Sequence, residues 1–129
     1  LPGHVVVIGA GNAGAQAVQI AAGMGARVTA LDLDVRKLEA LDAEYRGRVV
    51  TLQANPGNLE EAVAAADLLV GAVLVPAARA PVVVPKALVA TMRPGSVIVD
   101  IAIDQGGCVE TIRPTSHHAA VYKERGVLH

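Results

Sequence analysis

The sequence predicts a doubly wound α/β domain, a parallel sheet with helices packed on both faces. Three observations carry that expectation. Five short aliphatic runs alternate with four helical patterns. The first of these runs is apolar at every position, as in a strand buried on both faces. The core material is small and β-branched, with 24 Ala and 21 Val against two Tyr and neither Phe nor Trp. Parallel strands need crossover connections, which the helical segments supply. With 129 residues, 53% hydrophobic and 18% charged, the chain has material for one packed domain spanning residues 1–129.

Residues 5–8, Val-Val-Val-Ile, form the first strand, which Gly9 stops. A helical pattern follows over residues 12–25, with Ala13, Ala17, Ile20, Ala21 and Met24 on one face and Gly25 as the C-terminal stop. Residues 27–31 return as a strand ending at Asp32. Asp34 caps a second helix in which Val35, Leu38, Leu41 and Tyr45 recur at helical spacing until Gly47. Residues 48–53 make the third strand. Asn55-Pro56-Gly57 is turn chemistry, and Asn58 with Glu61 reads as a capping box for a short helix through Ala66. Residues 68–73 are the fourth strand and residues 76–85 a loop. Pro85 suits the first turn of a helix through Met92, and Pro94-Gly95 turns into a fifth strand over residues 96–101. Beyond Cys108 the periodicity fades, save for Gly126-Val127-Leu128, which suits the start of a sixth strand.

Composition excludes several partners. A net charge of −1 and a pI near 6.5 provide no basic footprint for nucleic acid or an anionic membrane. The longest greasy stretch, residues 68–78, runs into Arg79, Pro81, Pro85 and Lys86 and is too short to span a bilayer. One cysteine rules out an internal disulfide framework, and with no signal-type leader the expected compartment is the reducing cytoplasm. The start at Leu1 and the apolar finish before His129 read as the edges of a piece of a longer protein. His4, His117, His118 and His129 have no carboxylate or Cys at ligand spacing, so no metal is assigned. Neither a nucleophile elbow nor a P-loop is present.

Gly9-Ala10-Gly11-Asn12-Ala13-Gly14 fits G-x-G-x-x-G between a predicted strand and a predicted helix. In that setting Gly9 makes the tight turn, Gly11 lets a pyrophosphate approach the backbone, and Gly14 lets the helix pack closely on the strand. The helix N-terminus then offers N–H groups to the phosphates. A plain glycine-rich turn is the alternative. Asp32 stands 21 residues beyond Gly11, near the spacing at which an acid accepts hydrogen bonds from the adenosine ribose and disfavours a 2′-phosphate. Its other reading is a cap or turn residue beside Asp34. Arg36 and Lys37 are either ribose or phosphate contacts or solvated cations. Asp104, in Asp104-Gln105-Gly106-Gly107, follows the fifth strand on the ligand-binding edge, as either a substrate-orienting acid or a polar turn residue. Val73 and Leu74 share that edge, packing against a cofactor or simply in the core.

Residues 67–81 (DLLVGAVLVPAARAP) and 94–115 (PGSVIVDIAIDQGGCVETIRPT) strongly resemble the alanine dehydrogenase and pyridine nucleotide transhydrogenase family, on the alanine dehydrogenase side. The resemblance covers essentially the whole chain and corresponds to the Rossmann-type NAD-binding domain that this family inserts into a split substrate-binding domain. Proton-translocating transhydrogenases share the fold but usually lack the Asp at the position of Asp104. By motif, the resemblance implies that Gly9, Gly11, Asn12, Ala13 and Gly14 line the pyrophosphate, with Asp32 on the ribose and Lys37 assisting it. Val73 and Leu74 would flank the cofactor. Ile101, Ala102, Ile103 and Asp104 would lie along the nicotinamide, with Asp104 as the catalytic aspartate. The implied partners are NAD(H), a substrate-binding domain for L-alanine and pyruvate, and further copies in a homo-oligomer. The substrate-binding Arg and Lys and the catalytic His belong to that other domain. Departures from the family pattern are Asn12-Ala13 in the glycine loop, a short lead-in before β-branched residue Val5, and divergence after Thr115. The competing readings are a transhydrogenase NAD(H) domain and a nucleotide-binding module without chemistry.

Overall fold

A computed structural model describes residues 3–72, 86–101, 123–124 and 127–128, the last two pairs and Lys86 as backbone. The elements run β1 (His4–Ile8), α1 (Asn12–Gly23), β2 (Arg27–Asp32), α2 (Val35–Tyr45), β3 (Val49–Gln53), α3 (Pro56–Ala65), β4 (Leu68–Gly71), α4 (Lys86–Val89) and β5 (Val97–Asp100). Two short strands follow, β6 (Lys123–Glu124) and β7 (Val127–Leu128). The sheet order is β3-β2-β1-β4-β5-β7-β6. Every pairing is parallel except β6 with β7. The expected doubly wound sheet is therefore present, and β7 takes the sixth-strand position beside β5 through Val97 and Leu128. The antiparallel β6 is an addition that the weak periodicity of this region did not signal.

The chain winds outward from β1 through β2 to β3, then crosses back to β4 on the other side of β1 and continues to β5. The reversal between β1 and β4 is a topological switch point, where crossovers on opposite faces leave a crevice at the carboxyl ends of the strands. Val5, Val6, Val7 and Ile8 of β1 are all buried, as the continuous apolar run requires. Val5 and Val7 join Val18, Ala21, Leu38, Leu41 and Val49 under α1 and α2. Val6 and Ile8 join Leu31, Leu59, Val63, Leu69 and Ile98 under α3 and α4.

Three helix details depart from expectation. In α1 the buried residues are Gly14, Val18 and Ala21, while Ile20 and Met24 are 65% and 81% exposed. The helix is rotated so that its smallest residue, rather than its largest, meets the sheet. In α2, Leu38 and Leu41 are buried and Tyr45 packs partly against them, but Val35 is exposed. The cap of α3 is Asn55, not Asn58: its side chain accepts from the Asn58 N–H at 2.8 Å, with Pro56 in the first turn. Asn58 instead donates through Nδ2 to the Gln53 carbonyl at 2.9 Å. A proline at the first helical position has no N–H to satisfy, which makes the preceding Asn the better start. The expected cap at Asp34 and stop at Gly25 hold, with Asp34 accepting from the Arg36 N–H at 3.0 Å and Gly25, just after the C-cap Met24, at φ 83°.

The amino ends of the strands are tied by side chains. His4 Nε2 lies 2.8 Å from Thr29 Oγ1, and the His4 N–H donates to Asp67 Oδ2 at 2.9 Å. Arg93 bridges to Asp67 Oδ1 at 2.7 Å. Ser96 Oγ donates to the carbonyls of Arg93 or Ala66. Burial and the Arg27 charge hold the His4 imidazole below its ordinary value of 6.5, with Arg93 adding to that and the Ala65 carbonyl and Asp67 opposing it. A folded-state value below the unfolded one means that the unfolded chain takes up more protons. Stability from this group is thus present above about pH 6.5 and is lost as pH falls toward the lowered value. Asp67, also lowered, first by the His4 N–H, loses its contribution only below the ordinary carboxylate value of 3.8. Urea midpoints measured between pH 7 and pH 5 are expected to fall in the parent and to fall less in His4→Gln. Parallel slopes would show that His4 does not couple to folding.

Candidate functional site

The crevice edge is built largely from backbone. Gly9 leaves β1 at φ 106°, a conformation that disfavours any side chain, and its N–H donates to the Leu31 carbonyl at 2.7 Å. The turn then brings Gly14, in the first turn of α1, against Gly9. A Cβ on Gly14 would lie 2.7 Å from the Gly9 carbonyl carbon and closer still to its oxygen, with the Ala72 Cβ at 3.6 Å. Glycine is therefore required here by packing, as the third position of the motif predicts.

Gly11 differs. Its backbone is extended, at φ −74° and ψ −165°, and a Cβ there would meet nothing within 4 Å. Neither strain nor crowding among the described residues explains a glycine at this place. Among the described residues it leaves open space in front of the N-terminus of α1, where no side chain caps the helix and the first turn holds no acid. By contrast α2 and α3 are capped by Asp34 and Asn55. Exposed Asn12 and half-buried Ala13 and Gly11 border that space. Unpaired N–H groups and an open approach suit a phosphate-sized anion.

Asp32 closes β2 beside this turn. Its Oδ2 accepts from the Ala10 N–H at 2.7 Å, and its Oδ1 accepts from the Asp34 N–H at 2.8 Å. The half-buried carboxylate is thus hydrogen-bonded directly to the glycine motif at Ala10, 22 residues away in sequence. Each carboxylate oxygen has a second lone pair with which to accept a further hydroxyl. Lys37 is exposed on the first turn of α2, and the exposed Arg36 guanidinium is 3.6 Å from Asp34 Oδ1. The Arg36 N–H is the main cause that holds the Asp34 carboxyl below its usual range.

On the other side of the switch point, the Ala72 N–H donates to the Ile8 carbonyl at 2.8 Å and the Ile101 N–H to the Gly71 carbonyl at 2.7 Å. Ile101 is 41% exposed at this edge. The structure thus gathers Gly9, Gly11, Asn12, Ala13, Gly14, Asp32 and Ile101 at the carboxyl ends of β1, β2 and β5, with Lys37 nearby on α2. Val73, Leu74, Ala102, Ile103 and Asp104 lie outside the described residues, as do Cys108, His117 and His118. Asp100, the last residue of β5, is a buried carboxylate that the sequence reading passed over. Its signal was an acid ending an apolar strand, outweighed by the more prominent Gly-Gly turn after Asp104. Among the described residues no cluster of His, Cys, Asp or Glu could hold a metal ion.

A parallel sheet reversing at β1 and β4, a glycine turn into an uncapped helix, and an acid ending β2 define a dinucleotide-binding domain of the Rossmann class. The family model described as "Alanine dehydrogenase/PNT, C-terminal domain" matches residues 1–129. The chain belongs to that family, and membership implies NAD as the cofactor. It is 55% identical over 122 residues to an alanine dehydrogenase of Mycolicibacterium smegmatis, covering 95% of this chain and 33% of that protein. A solved L-alanine dehydrogenase superimposes with a TM-score of 0.96 at 52% identity, over 99% of this chain and 36% of that one. A transhydrogenase from Sinorhizobium meliloti superimposes with a TM-score of 0.87 at 30% identity, over 99% of this chain and 36% of that one. The chain spans about a third of the length of these relatives.

The helix-to-strand contact at Gly14 generates a stability test against Gly23, where a Cβ would by contrast meet nothing within 4 Å. Gly14→Ala is expected to cost about 1–3 kcal/mol or more, because backbone must shift. Gly23→Ala, at the end of α1, is expected to add about 0.5–1 kcal/mol. Urea unfolding of the two variants decides, and equal midpoints would contradict the close packing.

Proposed function

We propose that this chain is the NAD(H)-binding domain of an alanine dehydrogenase, whose full enzyme interconverts L-alanine, NAD and water with pyruvate, ammonia and NADH. The observation that carries the proposal is the open, uncapped glycine turn at Gly11, with Asp32 beside it, in a chain of this family. The higher identity to alanine dehydrogenases than to the transhydrogenase favours the dehydrogenase over its structural relative.

In this reading Gly9 aims the turn, and Gly11, Asn12, Ala13 and Gly14 present backbone to the pyrophosphate. Asp32 accepts from the adenosine ribose hydroxyls, with Lys37 close by. Its negative charge opposes a 2′-phosphate, which selects NAD over NADP. The family resemblance assigns Val73 and Leu74 to the flank of the cofactor and Ile101, Ala102, Ile103 and Asp104 to its nicotinamide side, with Asp104 as the catalytic aspartate. NAD held there would supply the hydride acceptor. The substrate's carboxylate and the remaining proton transfers fall to a second, substrate-binding domain, and the whole enzyme is a cytoplasmic homo-oligomer of amino-acid metabolism. Among the described residues no helix is long and apolar enough to cross a membrane.

Titration of the chain with NADH and NADPH, followed by calorimetry, tests the cofactor assignment. NADH is expected to bind more tightly, and Gly11→Val to remain folded while losing NADH, since its side chain fills the phosphate approach. Equal or tighter NADPH binding would overturn the ribose role of Asp32. A second assay concerns turnover. Positioning of reactants alone supplies roughly 7–11 kcal/mol of a catalysed barrier. The chain alone is accordingly expected to form no NADH from L-alanine and NAD at alkaline pH, and to do so only when the substrate-binding domain is supplied. Robust turnover by the chain alone would overturn the division of labour.

A further inference from the structure

We propose that Asp32 is also a positioning residue for the glycine turn, tying that turn to the start of α2 before any nucleotide arrives. This rests on the nucleotide-binding reading and adds a second role to the ribose contact.

The argument begins with the backbone. The Gly9 N–H is taken by the Leu31 carbonyl, which ends the ladder between β1 and β2. The α1 ladder begins only with the Ala15 N–H on the Gly11 carbonyl. The Ala10 N–H falls between the two, in a residue only 7% exposed, and its acceptor is Asp32 Oδ2 at 2.7 Å. Removing that oxygen would strand a buried donor. The other oxygen, Oδ1, holds the Asp34 N–H at 2.8 Å, and Asp34 in turn caps α2 through the Arg36 N–H. One carboxylate therefore joins the phosphate-facing turn to the β2–α2 connection. Because Gly11 and the amino end of α1 follow Ala10 directly, the tie sets how they face the incoming phosphates. A ribose bound to Asp32 would use the second lone pairs of oxygens whose positions the two amides have already fixed.

If Asp32 served the ribose alone, its loss would be invisible to a nucleotide without ribose hydroxyls. Neutralising it would even help an anion to bind. The test compares the parent with Asp32→Ala and with the near-isosteric Asp32→Asn, whose single carbonyl oxygen keeps one acceptor and favours folding. Amide exchange of the nucleotide-free proteins is read by NMR at Ala10 and Asp34, with Val6 and Val7 of β1 as internal controls. Calorimetry then compares ADP with 2′,3′-dideoxy-ADP. The expected result is exchange about tenfold faster at Ala10 or Asp34 in Asp32→Asn, and at both in Asp32→Ala, with the controls unchanged. Asp32→Asn is also expected to bind 2′,3′-dideoxy-ADP about threefold or more weakly than the parent does, although it lacks the repelling charge. Parental exchange rates at both amides would overturn the tie. Binding of 2′,3′-dideoxy-ADP at parental affinity or tighter would overturn its effect on the phosphate site. Failure of the parent to bind ADP would count against the nucleotide reading, while the exchange rates would still decide the tie.

Discussion

The close approach of α1 to β1 at Gly14 and Gly9 governs much of what surrounds it. With no room for a methyl group between the Gly14 Cα and the Gly9 carbonyl, the helix can sit low on the sheet only with its smallest residue inward. That choice rotates α1 so that Val18 and Ala21 follow Gly14 into the core and Ile20 and Met24 face out. It also brings the amino end of the helix to the carboxyl edge of β1, at the switch point. The helix backbone, with the Asp32 carboxylate beside it, becomes the chemical surface of the site.

Much of the architecture was legible because parallel strands leave a strong mark: Val5 to Ile8 are apolar at every position, and the strands from β1 to β5 are separated by segments long enough to cross over. The glycine motif and Asp32 were legible for the same reason, since turn chemistry at a strand end depends on local residues. The face of α1 was not. Counting apolar residues favoured Ile20 and Met24, but the rotation is decided by a steric contact between residues five apart, which hydrophobic periodicity does not weigh. The α3 cap was misplaced because Asn55 and Asn58 both suit the role, and Pro56 breaks the tie through the N–H it lacks. The bond from the Ala10 N–H to Asp32 joins segments that only the folded β1–β2 pairing brings together.

The two ends of the sheet are stabilised by different means. At the amino end, side chains do the joining: His4 with Thr29, Arg93 with Asp67, Ser96 with two carbonyls. At the carboxyl end, the glycine turn is held by backbone bonds and by the Asp32 carboxylate, which joins it to the start of α2. An exposed ion pair such as Arg93 with Asp67 is worth little on its own. Its place beside the His4 N–H and the turn into β5 gives it a part in register, since Asp67 precedes β4 and donates its own N–H to the His4 carbonyl. A site made of backbone can therefore keep its shape while exposed polar residues around it vary.

The partly packed ring of Tyr45 has a spectroscopic consequence. With no Trp or Phe and two Tyr, the chain's own ultraviolet emission is limited to weak tyrosine fluorescence. Tyr45 ends α2 and rests against the same cluster as Leu38 and Leu41, and burial raises its phenol above the ordinary value. Its ring thus belongs to the α1 and α2 layer, and its part of the tyrosine signal reports on that layer. A chromophore brought in by a ligand or a single engineered tryptophan would be seen against a nearly dark background, so the chain is well suited to optical measurement of binding and of folding alike.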